Sequence, residues 1–179
     1  QLEPKRPAPP APPLDPKIIG PMQKLVDKYW PGLKVIPSMA NGYTDATFRK
    51  DFDAFAGCFT PDGEWRISGR VFKGRQQIRD GIAAILENFI RVLITFRTPI
   101  LSVGDGVASG RTYIDERCAW KNGNTNIAIG HYYERFAEED GRWRFAWRLF
   151  ETLYRGDPDL SGDFFDRAAT AHGHEGLHA

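Results

Sequence analysis

An α+β fold, with a curved antiparallel sheet wrapped over three N-terminal-side helices, is predicted from three observations on this 179-residue sequence. Apolar residues in the first half recur at helical spacing. From about residue 94 the period drops to two. The joints between the later segments are Gly104-Asp105-Gly106, Asn122-Gly123 and Asp140-Gly141, and Asn-Gly and Asp-Gly tolerate the positive φ that tight hairpin turns demand. Helices first and hairpin-linked strands after them imply a sheet laid over those helices.

Residues 1–16, QLEPKRPAPPAPPLDP, are an extended arm, because proline joins neither a helix interior nor a central strand. A plain linker is the preferred reading over a ligand for a small adaptor domain. The domain proper is expected at 17–157. Its first helix falls on DPKIIGPMQKLVDKYW, interrupted at Gly20-Pro21. A second is expected over 43–59, where Phe48, Phe52, Phe55 and Phe59 share a stripe and Thr44 or Asp45 can cap the start. TPDG reads as a turn. EWRISGRVF alternates Trp65 and Ile67 against Glu64, Arg66 and Ser68, as a half-buried strand does. A third helix is expected over 74–93, with Ile78, Ile82, Ile85 and Phe89 on one face. Four long strands follow at 94–103, 107–120, 125–137 and 142–154. Residues 158–179 form a tail with a short helix near 164–169.

The net charge is +1, with 41% hydrophobic and 26% charged residues. That balance gives no footprint for nucleic acid or for an anionic membrane. No apolar run approaches the ~20 residues a membrane helix needs. Two cysteines make no disulfide framework, so a reduced, cytoplasmic protein is expected, with a cleaved export signal left open because the chain starts at Gln1. Aromatics reach 13%, which serves a core and also the walls of a pocket for a flat ligand.

The tail contains His174-Glu175-Gly176-Leu177-His178, which spells the H-E-x-x-H of zinc proteases. That chemistry needs both imidazoles on one face of a stable helix, and a third ligand downstream. Here a glycine sits inside the motif and one residue follows it, so no metal site and no protease are expected. Nor is there a Walker or dinucleotide glycine pattern, or a G-x-S-x-G elbow.

DFDAFAGCFTPDGEWRISGRVFKGRQQI and GHYYERFAEEDGRWRFAWR carry a D-x-D, F-x-x-D-G-x-W, G-R-x-x-I and a closing D-G-x-W with a terminal Arg. In this order they resemble SnoaL-like domains of the nuclear-transport-factor-2-like superfamily, over about residues 40–155. The resemblance implies a cone-shaped α+β barrel with one deep apolar pocket, often in a homodimer or higher homo-oligomer. Its enzymes include scytalone dehydratase, ketosteroid isomerase, limonene epoxide hydrolase, polyketide cyclases and lyases that release formaldehyde from lignin-derived diaryl diols. Most need no cofactor. The same fold serves as the non-catalytic small subunit of aromatic-ring dioxygenases and as binding modules, so function belongs to the site.

Such sites place ionisable groups in a dry pocket, where desolvation raises a carboxyl pKa toward neutrality. Counting by twos from Ala108 puts Glu116 with small and apolar residues, making it the candidate general base if that face is the inner one; in the other register Asp115 and Arg117 face inward. Tyr43 stands ten residues before Asp53, where relatives carry a pocket Tyr. Their pocket Asp is replaced here by Phe48, and Asp45 can substitute for it or can cap the helix. Asn126 occupies a position where scytalone dehydratase-like enzymes place a His. His131, the only His of the domain, titrates near neutrality but alternates to the opposite face from Asn126 unless a bulge intervenes at Gly130. Arg97 binds an anionic group or forms an outer salt bridge; Arg148 and Arg70 are weaker versions of the same idea. Trp65, Phe145 and Trp147 are expected as inward-facing walls. The expected function is a cofactor-independent lyase, or a related isomerase or cyclase, on a hydrophobic, aromatic, hydroxylated small molecule. The alternative is a binding or subunit module.

Overall fold

Strong hairpin turns and a helix-terminating backbone set the order of elements. The computed structural model describes Lys24, residues 39–104 and residues 107–165. Gln1–Pro37 and Ser38–Ala179 form two separate compact units. In the first, Lys24 is helical and exposed. The expected helix at 15–30 otherwise lies outside the described residues, as do Asp105-Gly106 and the H-E-x-x-H tail.

The second unit runs α1 (Met39–Arg49), α2 (Phe52–Gly57), β1 (Phe59–Ile67), β2 (Arg70–Lys73), α3 (Gly74–Leu86), β3 (Phe89–Phe96), β4 (Ile100–Val103), β5 (Val107–Trp120), β6 (Thr125–Glu139), β7 (Arg142–Gly156) and β8 (Asp163–Phe164). The curved sheet has the order β2-β1-β7-β6-β5-β3, with β4 on β5 and β8 on β7, and it does not close. β5, β6 and β7 are the expected antiparallel meander, while β1 runs parallel to β7. Gly123 (φ +89), Asp140 (φ +51) and Gly141 (φ +71) make the turns.

Five expected elements differ. The second helix breaks at Lys50, which has φ +55. Asp51 then starts α2 by accepting a hydrogen bond from the Ala54 N–H at 2.9 Å. TPDG is extended within β1 across an irregularity between Phe59 and Glu64. Gly63 allows this close approach, since a Cβ there would lie 2.9 Å from the Phe145 carbonyl. EWRISGRVF is a hairpin, not one strand, because Ser68 (φ +50) and Gly69 (φ +73) turn the chain. Finally, the third helix stops at Leu86 and Phe89 opens β3, which ends at Phe96 before Pro99, so 94–103 is split between two strands. Apolar runs of this kind suit a helix or an edge strand equally well.

The inner face buries Tyr43, Phe55, Phe59, Trp65, Ile114, Tyr132 and Phe145, packed ring against ring. Each large ring removed from water contributes roughly 1.5–3 kcal/mol. Among the described residues no helix is long and apolar enough to cross a membrane.

Candidate functional site

Register decides which side chains meet. Glu116 on β5 pairs with Ile94 on β3 and Ala128 on β6. Side chains alternate along a strand, so Ile114, Glu116, Cys118 and Trp120 share the inner face, and Asp115 and Arg117 share the outer one. Glu116 lines a cavity of about 290 Å³ with Cys118, Trp120, Asn126, Phe150 and Arg155 from the sheet. Ser68 and Arg70 from the β1–β2 hairpin, and Ile85 and Asn88 from the end of α3, complete its walls.

Burial pushes the Glu116 carboxyl up to about 7, against the opposing pull of Arg155 and then Arg148. Desolvation penalises the carboxylate more than two nearby guanidiniums stabilise it. Beside it, burial and the Glu116 charge raise the Cys118 thiol to about 12, so it stays protonated. The Trp120 indole N–H donates to Asn126 Oδ1 at 2.6 Å, and Trp120 packs on Phe89 with centroids 3.9 Å apart. That bond occupies the amide oxygen and leaves Asn126 Nδ2 as a donor.

Behind the cavity lies a polar cluster. Arg148 is 0% exposed. Its Nε donates to Glu134 Oε1 at 2.9 Å, and Thr112 Oγ1 donates to Glu134 Oε2 at 2.7 Å. The guanidinium carbon lies 3.6 Å from the Tyr132 ring centre and 4.1 Å from that of Tyr43. These rings face a cation that Nη1 anchors to no oxygen among the described residues. The hydroxyls of Tyr43 and Tyr132 are 3.2 Å apart. Burial raises both phenols, Tyr132 to about 12, so both remain neutral donors.

Several expected site residues stand elsewhere. Tyr43 is in this cluster behind the cavity, not in its wall. Asp45 has a side chain 53% exposed and pairs with Arg49 at 2.9 Å, one helical turn along, well inside α1 and not at its cap. His131 lies on the face opposite Glu116, fully buried, with Nε2 2.9 Å from Glu151 Oε2; the irregularity near Gly130 does not bring it inward. Arg97 pairs with Asp115 at 2.6 Å on the outer face. Phe48 is 65% exposed and, like Arg97, borders a second, larger trough of about 860 Å³. That trough is formed largely by Leu93, Asp115, Arg117 and other outer-face residues, with Glu116, Cys118 and Asn126 also in its lining. Trp65 is inward but sealed between Phe55 and Phe72 as core. Trp147 faces outward between Arg66 and Arg135, at 5.8 and 5.3 Å. The bulge opposite Arg135 and Phe136 shifts the alternation, leaving Phe145 and Arg148 inside and Trp147 out.

Sequence reasoning misses Arg155 and names Arg148 only as a weaker candidate beside Arg97. Arg155 pairs with Ala128 on the inner face, a second irregularity opposite Ile129 and Gly130 having restored the phase that the first one shifted. Arg148 stands three positions past buried Phe145, so it faces inward only because the first bulge shifts the phase.

The family profile described as a SnoaL-like domain matches residues 39–148. Among solved structures, Rv3472 of Mycobacterium tuberculosis, a protein of unknown function, is 28% identical with TM-score 0.59, over 64% of this chain and 72% of that one. A type 2 hexachlorocyclohexane dehydrochlorinase, LinA, is 15% identical with TM-score 0.64, over 86% and 99%. A candidate scytalone dehydratase from Novosphingobium aromaticivorans is 15% identical with TM-score 0.63, over 84% and 95%. At such low identity the last two establish likeness of fold. No curated protein matches the sequence. The profile match spans well over half of the chain and agrees with the curved sheet over few helices, and the chain belongs to the SnoaL-like domain family.

Proposed function

We propose that the protein is a cofactor-independent lyase acting by acid–base chemistry on a hydrophobic, aromatic, hydroxylated small molecule, of which a lignin-derived diaryl diol is one example. The observation that carries the reading is Glu116, a carboxyl raised to about 7 in a cavity it shares with the apolar side chains of Ile85, Phe89, Trp120 and Phe150. A base is most effective when its pKa lies near the working pH. A solved protein of similar fold is a dehydrochlorinase, an enzyme of elimination.

In a dehydration, Glu116 takes a proton from a substrate carbon. The C–H electrons form the double bond as the neighbouring C–O bond breaks. Asn126 Nδ2 donates to the departing oxygen, and Glu116 returns the proton so that water leaves. If the substrate carries a hydroxymethyl group, Glu116 takes the hydroxyl proton instead. The C–C bond then breaks, an aldehyde leaves, and the carbon left behind takes up the proton. Return of the proton to another carbon gives an isomerisation by the same residue.

Turnover of aryl diols and 3-hydroxy-3-aryl acids, followed by the absorbance of the conjugated product, tests this. We expect kcat/KM to rise with pH through about 7. Glu116→Gln should bind ligand but turn over roughly 10²–10⁴-fold more slowly. An unchanged rate in Glu116→Gln ends the proposal. Binding without turnover by the wild type favours a ligand-binding module.

A further inference from the structure

From the charges at the cavity we infer that its ligand carries a carboxylate, seated on Arg155, with Arg70 adding attraction from across the mouth. This deepens the preceding reading and rests on the cavity being the substrate site. The walls from Ile85, Phe89, Trp120 and Phe150 are apolar, yet two guanidiniums line the same space.

Arginines elsewhere in the unit commonly hold an acid: Arg49 with Asp45, Arg66 with Glu64, Arg75 with Glu139, Arg79 with Asp53, Arg97 with Asp115. Among the described residues neither Arg70 nor Arg155 has an ion pair or a side-chain hydrogen bond. Glu116 does not neutralise Arg155: the two interact electrostatically without an ion pair, and near pH 7 Glu116 is about half protonated. The cavity therefore holds an excess of positive charge against a greasy surface. A guanidinium offers parallel N–H groups that match a carboxylate, and both arginines are exposed, open to an incoming ligand. A neutral ligand would leave that fork unused. The hydrophobic body of an aryl acid would lie on Phe150 and Trp120, with the acid group toward Arg155. Placed so, a 3-hydroxy-3-aryl acid offers Glu116 the C–H next to its carboxylate and loses the 3-hydroxyl.

The test compares trans-cinnamate with cinnamyl alcohol, which share a skeleton and differ in charge, by isothermal titration calorimetry on the full chain. Cinnamate should bind at least ~10-fold more tightly, the scale of a charge-assisted hydrogen bond. Arg155→Met should remove that advantage while leaving the alcohol within about twofold, and Arg155→Lys should restore part of it. Arg70→Met should weaken cinnamate by about two- to threefold, as a second exposed charge at the cavity. Equal affinities for the two ligands, no binding of cinnamate, or equal losses of both ligands in Arg155→Met would overturn the inference. Those outcomes leave the acid–base reading intact; that reading falls if Glu116→Gln keeps the wild-type turnover or if the wild type has none.

Discussion

Glu116→Gln should change how stability depends on pH, and the size of the change follows from the burial of the carboxyl. Its pKa moves from an ordinary 4.5 in the unfolded chain to about 7 in the folded one. Below 4.5 both states hold the proton. Between 4.5 and 7 only the folded state does, so stability falls as pH rises, by about 1.4 kcal/mol per pH unit for this one group. Above 7 both states are ionised and the deficit stays constant at about 3 kcal/mol. Other carboxylates titrate equally in wild type and variant, and they cancel in the difference. Urea unfolding of both proteins at pH 5, 6, 7 and 8 should therefore show the wild type losing ground to Glu116→Gln by about 2–3 kcal/mol across the series. A difference that does not vary with pH would mean that Glu116 is solvated, and the reasoning about its environment would fail.

Other substitutions separate the buried cluster from the surface. Arg148→Met leaves the Glu134 carboxylate buried without its cation, and should destabilise by about 3–5 kcal/mol in urea titration. Adding Glu134→Gln should recover part of that, while a single-variant loss below ~1 kcal/mol would contradict the pairing. Asp45→Ala and His131→Gln, measured as folded protein, should keep kcat/KM within about twofold, since neither residue reaches the cavity; a 100-fold loss in either would return it to the reaction. Gly69→Val forces a β-branched residue to φ +73 and should cost about 1–3 kcal/mol in thermal melts, with weaker ligand binding because Ser68 and Arg70 flank the turn.

What the sequence reveals tracks how local the physics is. The Asn122-Gly123 and Asp140-Gly141 turns fix β5 to β7 because the dipeptides themselves favour the needed φ. Glu116 is found by counting along β5, whose alternation is uninterrupted from Ala108. β7 breaks that count twice: the first break turns Trp147 out and Arg148 in, and the second restores the phase, so that Arg155 stands inside, where an unbroken count from Phe145 also puts it. No local signal marks either bulge. The phenylalanine stripe at 48–59 fails for a different reason, since Lys50 ends the helix in a backbone conformation that its residue type does not advertise. Arg148 reads as a surface cation from composition alone. Only its assembly with Glu134, Thr112, Tyr43 and Tyr132, drawn from α1 and three strands, makes it buried.

The central claim is that a carboxyl enclosed by this sheet exchanges its proton near neutral pH. ¹³C NMR titration of the glutamate side-chain carboxyls, with Glu116→Gln identifying the resonance, measures that directly. The account predicts a midpoint for Glu116 near 7. A midpoint near 4.5, the value of a hydrated glutamate, would contradict it.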